Sequence, residues 1–448
     1  MLSTLGSCLI VIATIHVIIL VHEWGHYIVA RWFHIRIQTF TVGLGKILYT
    51  YQDKHQVTWQ IRAVPLGGYV ILLDSQSADY TETDHAAALD NRPCWQKLCV
   101  YLAGPLMNML VAILLYTALY IHGVEYIKPL IGEVIPQSIA AEAGMKSQQT
   151  ITHIGDAPVD NWHDTTFELI RHMGESEPLS ITTDHHHTYQ LNIKNWEIDP
   201  LHLQPLVSIG LDPYVPYSPA IVSQIRANSP ASGIVQPHDT ILQINERTVD
   251  DRTSWIDSLH GLHNRKINLA LLRNEALHQV QINTGWQLTR EWQLTAYTGI
   301  VIPLAPWPKD RVILVQYPPQ QAGYKAIQQS LQLYAYNWIL LKKIVQRIIP
   351  ISALSGPLGF VQVAVTTLNH PLSVYLEIFA LFNMLIAFVN LLPLPGLDGG
   401  HMVFALIEAI RGKTIPYEWQ CLITRFSIIF LVVITIHATI NDLIRIVT

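Results

Sequence analysis

Four long apolar segments constrain this chain more than any other feature of its sequence. They begin at Thr4, Leu98, Pro371 and Phe426, and run to Ala30, Val124, Gly396 and Ile440. A helix needs about 20 largely apolar residues to cross a bilayer. One such run is compatible with a buried helix in a large soluble core. Four in one chain are not, because hydrophobic residues make up 50% of it and charged residues only 14%, against about 25% in soluble proteins. The sequence therefore predicts a polytopic α-helical membrane protein with about four transmembrane helices. No basic residue precedes the first segment, and a polar stretch begins at Arg31 directly after it. That segment is expected to stay in the mature chain rather than to be removed as a signal peptide.

Basic residues predict the orientation. Arg31, Arg36, Lys46, Lys54, Arg62, Arg92 and Lys97 lie between segments one and two, and Arg411, Lys413 and Arg425 between three and four. Short connections rich in Lys and Arg stay in the cytoplasm. Both termini and the 246-residue stretch Glu125–His370 then fall outside. Cys8, Cys94, Cys99 and Cys421 all lie beyond that stretch, so its fold is not stapled by disulfides. The net charge of −5 gives no reason to expect nucleic acid.

The outer stretch repeats itself. IGEVIPQSIAAEAGMKSQQTITHIGDAPVDNW starts at Ile131, and IVSQIRANSPASGIVQPHDTILQINERTVDDRTSW at Ile221. Each copy reads as a short strand, a glycine turn at Gly144 or Gly233, then two strands joined by a tight polar turn. Asp160 and Asn161, or Asp250 and Asp251, are candidate N-caps for a following helix. This predicts two α/β modules, at 125–215 and 216–305. They resemble the circularly permuted PDZ modules of bacterial membrane proteases, which implies a groove at a strand edge that accepts extended peptides or protein tails. From Ala326 to Ile349 apolar residues recur at helical spacing, predicting an amphipathic helix near the membrane surface. The uncharged run Ile351–Val365 reads as a re-entrant or interfacial segment, or else a short fifth span.

The chemistry is carried by HEWGH. His22 and His26 are four residues apart, which puts both imidazoles on one helix face. This is the H-E-x-x-H arrangement, in which the two histidines bind zinc and Glu23 is the general base toward water. Gly25 either admits another helix or a substrate backbone, or reflects only how common glycine is in membrane helices.

A catalytic zinc takes three protein ligands. The foremost candidate for the third is Asp398 in NLLPLPGLDGGH, at the same predicted depth as the histidines. Pro393, Pro395 and Gly396 break the helix before it, and backbone freed inside a membrane must line protein or water. Glu377, His16, His122 and His437 rank lower by depth or face. His401 can support the site from outside the ligand set, and His185, His186 and His187 read as a solvated loop.

Taken together, HEWGH, FTVGLGKILY at Phe40–Tyr49, RAVPLGGYV at Arg62–Val70, LAGPLMN at Leu102–Asn108, the two repeats, SGPLGFVQVA at Ser355–Ala364 and FNMLIAFVNLLPLPGLDGG at Phe382–Gly400 run along nearly the whole chain. In these the chain resembles the site-2 protease family of intramembrane zinc metalloproteases, most of all its bacterial regulator of sigma-E protease subgroup. The resemblance implies one Zn(2+) per chain on His22, His26 and Asp398, with Glu23 catalytic. It implies substrate-positioning roles for Asn390 and Asn383. It likens Arg62–Val70, with Gly67, Gly68 and Tyr69, to a membrane-associated hairpin that pairs with an unwound substrate. Gly396 departs from the alanine of many relatives, which should loosen the turn without removing a ligand.

The implied activity is hydrolysis of peptide bonds within transmembrane segments of single-span proteins. An anti-sigma factor already cut once on its outer side is the implied substrate, with remnant signal peptides as a second. The implied setting is the bacterial inner membrane, in contact with lipid, with both termini and the PDZ-like region periplasmic and the active site near the cytoplasmic side. A membrane zinc transporter or sensor, and an idle scaffold for peptide-binding modules, are the rival functions. The predicted divisions are 1–30, 31–97 with the hairpin, 98–124, the two modules, a juxtamembrane region 306–370, 371–396, 397–425 and 426–443.

Overall fold

The computed structural model describes residues 4–75, 80–198, 204–288, 294–368 and 370–447. It divides into two compact units. One comprises Met1–Val124, Val315–Lys342 and Gly359–Thr439, the other Glu125–Leu314, Lys343–Leu358 and Ile440–Thr448.

The first unit opens with helix α1, Thr4–Trp32. Strands β1 (Ile37–Gln52) and β2 (Thr58–Leu72) follow and form a ribbon. The ribbon doubles back on itself, so that Phe40 is partnered by Val70 on one side and Trp59 on the other. Its inner face packs on α1 through Ile37, Phe40 and Val57, with Ala30 and Val100 in the same cluster. An aromatic group of Trp24, Tyr27, Phe40 and Trp59 joins helix to ribbon, with ring centroids 4.8–6.2 Å apart. Helix α2, Cys94–His122, packs against α1. Gly25 is where they touch: a Cβ there would lie 2.4 Å from the carbonyl oxygen of Ala103. The structure thus gives Gly25 a helix-packing role.

The second unit contains the repeat. In the first copy strands β3 (Ile151–Ile154), β4 (Ala157–Pro158), β5 (Leu179–Thr183) and β6 (Thr188–Leu191) form a sheet of order β4-β3-β5-β6. Helix α3, Trp162–His172, is inserted after β4 and capped by Asn161, whose side chain accepts from Asp164 N–H. In the second copy β7 (Thr240–Ile244), β8 (Arg247–Thr248), β9 (Lys266–Arg273) and β10 (Ala276–Asn283) have the same order, β8-β7-β9-β10. Helix α4, Arg252–Ser258, takes the equivalent place, with a capping box between Asp251 and Ser254. Each copy closes over its own apolar core, centred on Ile154, Leu169 and Ile181 in one and on Ile241, Trp255 and Leu269 in the other.

The chain then forms helix α5, Pro319–Val345, which begins and ends earlier than the apolar periodicity suggests. Pro319 supplies the preset backbone angle of a first helical turn. Tyr334 and Trp338 on α5 meet Phe388 edge to face, with centroids 5.6 and 5.2 Å apart. Helix α6, Pro357–Thr367, spans 11 residues, against the about 20 that a transmembrane helix needs. Its residues Phe360, Ala364 and Val365 pack with Val11 and Ile18 of α1 and with Phe382. That phenylalanine belongs to α7, Leu372–Asn390. Pro393 and Pro395 end this helix short of Gly396, because proline lacks the N–H that would continue it. Helix α8, Asp398–Arg411, leaves the turn and is tied to α2 by an ion pair, Lys97 Nζ to Glu408 Oε2 at 3.2 Å, both side chains largely buried. Helix α9, Tyr417–Val447, extends well beyond its uncharged stretch at both ends, since Glu418 and Arg425 sit on exposed flanks and do not interrupt the helix. Among the described residues α1, α2, α7 and α9 are the helices long and apolar enough to cross a membrane.

Candidate active site

Three side chains from two distant parts of the chain meet in the first unit. Nε2 of His22 lies 3.0 Å from Oδ2 of Asp398, and Nε2 of His26 lies 3.4 Å from the same oxygen. The two imidazole nitrogens are 3.3 Å apart. The helix explains the pair: residues 22 and 26 stack one turn apart on one face of α1. Asp398 is brought in by the turn 391–397 and opens α8. Gly399 and Gly400 allow that turn to fold tightly under the helix, since a Cβ on either would meet the carbonyl of Leu391, Leu392 or Leu394 within 2.5 Å. Gly396 has φ +98°, a conformation that strains an alanine, so glycine here relieves the turn.

The donor triangle can be tested against a metal. Zinc binds imidazole nitrogen and carboxylate oxygen at about 2.0–2.2 Å with tetrahedral angles, which puts neighbouring donors about 3.3 Å apart. The observed edges of 3.0, 3.3 and 3.4 Å fit. Gly104 on α2 faces the same point: a Cβ there would lie 2.4 Å from Nε2 of His26 and 2.7 Å from Nε2 of His22. The space in front of the two nitrogens is kept clear by a missing side chain. Nδ1–H of His26 donates to the carbonyl of Val100 at 2.7 Å, which leaves Nε2 as the unprotonated nitrogen that a metal requires. Among the described residues this is the one group of three such donors that converges.

Glu23 stands beside the triangle. Its Oε2 accepts from the main-chain N–H of Val70 at 3.0 Å. That N–H points out of the ribbon, so the outer edge of β2 borders the site. The other sequence candidates are placed less centrally. Asn390 and Asn383 each donate from Nδ2 to a carbonyl of α7, of Ile386 and Phe379. Gly67 has φ +101°, and a Cβ on Gly68 would strike the carbonyl of Thr41 at 2.6 Å, so both serve the close pairing of the ribbon. Tyr69 lies against the Arg62 guanidinium, 5.4 Å from ring centre. His401 stacks on Tyr101 with centroids 5.3 Å apart and is outside the donor group. Sequence reasoning missed Gly104 and Val100; a glycine directly before Pro105 in an apolar run was the available signal.

Fold and site define a membrane-embedded metallopeptidase, with an H-E-x-x-H helix and a third donor brought to it by a later helix. Comparison with known proteins agrees. The profile of peptidase family M50 matches residues 10–434, and the chain belongs to that family. It is a zinc metalloendopeptidase of the site-2 type. The regulator of sigma-E protease RseP of Escherichia coli is 28% identical, with 99% of this chain and 100% of that protein covered. Protease RseP of Yersinia pestis gives the same figures. A Vibrio cholerae protein described as a zinc metalloprotease is 28% identical over 94% of each chain. A solved PDZ domain of an SdrC-like protein from Listeria monocytogenes is 18% identical, covers 20% of this chain and 92% of that one, and has a TM-score of 0.17; the character of the two modules rests on their own topology.

Proposed function

We propose that His22, His26 and Asp398 hold one zinc ion and that Glu23 is the general base of peptide hydrolysis inside the membrane. The observation that carries this is the donor triangle over Gly104. When bound, zinc polarises the scissile carbonyl and makes water a nucleophile at neutral pH. Glu23 takes the proton from water and passes it to the leaving amine. The outer edge of β2, from Gly67 through Tyr69 to Val70, pairs with the main chain of an unwound substrate helix, whose freed polar groups would otherwise be costly in a bilayer. Asn390 and Asn383 position that segment.

The substrates are single-span membrane proteins. An anti-sigma factor shortened by a first outer cleavage is the favoured one, by analogy with the RseP relatives, and remnant signal peptides are a second. The charge distribution supports an inner-membrane topology with termini and both modules periplasmic and the site near the cytoplasmic face. The modules are PDZ-like, and act as a filter against bulky outer domains or as receptors for protein tails.

Reconstitution with a single-span reporter tests the reading. Glu23→Gln should retain zinc and fold while cleavage falls by orders of magnitude; Asp398→Asn should lose both zinc and cleavage. Equal cleavage by the native protein and Glu23→Gln would remove the general-base assignment.

A further inference from the structure

Asn108 lies on α2 one turn after Gly104, the residue that closes on Nε2 of both histidines. Residues four apart share a helix face, so its carboxamide stands on the face that looks toward the site, about 6 Å further along the axis. The side chain is 0% exposed, and neither its oxygen nor its nitrogen has a hydrogen-bond partner. Helix α7, which packs against α2, carries a similar group: Asn383 is 0% exposed and its Oδ1 is also unpartnered.

A buried carboxamide with both ends unsatisfied is costly, and more so where no bulk water can reach it. Leucine has nearly the same shape and would avoid that cost. The group therefore needs a partner that arrives from outside the folded chain. We propose that Asn108 is a substrate-binding residue, whose carboxamide donates to the C=O and accepts from the N–H of one residue of the unwound segment beside the scissile bond. A primary amide matches an extended residue because each presents a donor and an acceptor on one edge. Its burial does not set it apart from the site. His22 and His26 are themselves 6% and 9% exposed, so a substrate that reaches them passes the next turn of α2. The inference rests on the proteolytic reading above.

The test uses the full chain in proteoliposomes with a single-span reporter. Asn108→Leu and the smaller Asn108→Ala are compared with the native protein for kcat and KM. Reporter affinity is measured with each in a Glu23→Gln background, together with zinc content and melting temperature. Asn108→Leu should lower affinity and kcat/KM roughly ten- to hundredfold. Zinc content should be unchanged and the melting temperature equal or higher, because an apolar isostere replaces an unsatisfied amide. Asn108→Ala should weaken affinity in the same direction. A resident water as the sole partner would instead leave affinity and kcat/KM within twofold of native in both variants, and that overturns the inference while native cleavage stands. Loss of activity only in step with lost zinc or a lower melting temperature also overturns it. A native protein that cuts nothing removes the protease reading and this inference with it.

Discussion

The main-chain N–H of Val70 donates to Oε2 of Glu23 at 3.0 Å. One hydrogen bond thus joins the edge of β2 to the carboxylate beside the donor triangle. It fixes the height of the strand against α1 and holds one carboxylate oxygen in place. Val70→Pro deletes the donor at a position where the N–H faces away from the ribbon, the kind of site where an edge strand tolerates proline. Zinc content should be unchanged, while kcat falls about tenfold as the carboxylate loses its anchor. An unchanged kcat would mean that this contact does not orient Glu23.

Gly104 should be the most sensitive glycine in the membrane for metal binding. Its added Cβ would overlap Nε2 of His26 at 2.4 Å, and α2 cannot retreat because Gly25 already seats it on α1 at Ala103. Gly104→Ala should weaken zinc affinity at least as much as loss of an outer partner does, roughly 10- to 100-fold. Leu110→Ala, on the exposed side of the same helix, is the control. Metal titration by competition with a chelator reads the difference, and equal affinities would show that the triangle does not bind its ion where Gly104 points.

How far the sequence discloses this arrangement depends on the range of the interaction. His22 and His26 meet because of helical periodicity, a local property, so their pairing is legible from spacing. Asp398 is legible only as a charge beside a broken helix at matching depth; the turn that delivers it depends on contacts at Gly399 and Gly400 with carbonyls of residues 391–394. Gly104 is legible only as a glycine before Pro105 in an apolar run, and Val100 not at all, since nothing within α2 says which helix will cover it. The doubled pairing of Phe40 with Val70 and Trp59 is hidden for the same reason. Register in a long ribbon is set by what it packs on. The repeated modules sit at the other extreme, because matching strand, turn and cap residues recur in both copies.

In the second module, acid should act through Asp239. Burial pushes its carboxyl upward, but the Arg273 guanidinium, bonded to both oxygens at 2.7 and 2.6 Å, and the Gln236 N–H outweigh this and hold it below the ordinary carboxylate range. The folded state therefore binds the proton less readily than the unfolded one. The stabilisation is fully present above about pH 4 and is lost as pH falls through the lowered value. Arg273→Met leaves a carboxylate that is 1% exposed without its partner, at a cost of about 3 kcal/mol near neutral pH. Hydrogen exchange of β7 and β9 in the full chain should show that loss at pH 7 and a much smaller gap near pH 3. A gap as large in acid would place the stabilisation elsewhere.

The two modules should be removable without dismantling the site. The segments Val124–Ile127 and Val312–Val315 pair with each other, and Lys128 N–H bonds to the carbonyl of Arg311 at 3.0 Å. The chain thus enters and leaves the repeat on adjacent strands, so a short glycine linker can replace residues 130–309 with little strain. Every proposed zinc donor, Glu23, Gly104 and the ribbon lie outside the excised stretch. Zinc content and cleavage of a reporter with a short outer tail should stay within a few-fold of native. If the modules exclude bulk, cleavage of a reporter bearing a folded outer domain should rise at least tenfold. If they act as tail receptors, cleavage of the short-tailed reporter should fall through KM while the bulky one stays uncut. Identical size selectivity before and after excision, with KM unchanged, would leave the repeat no part in choosing substrates.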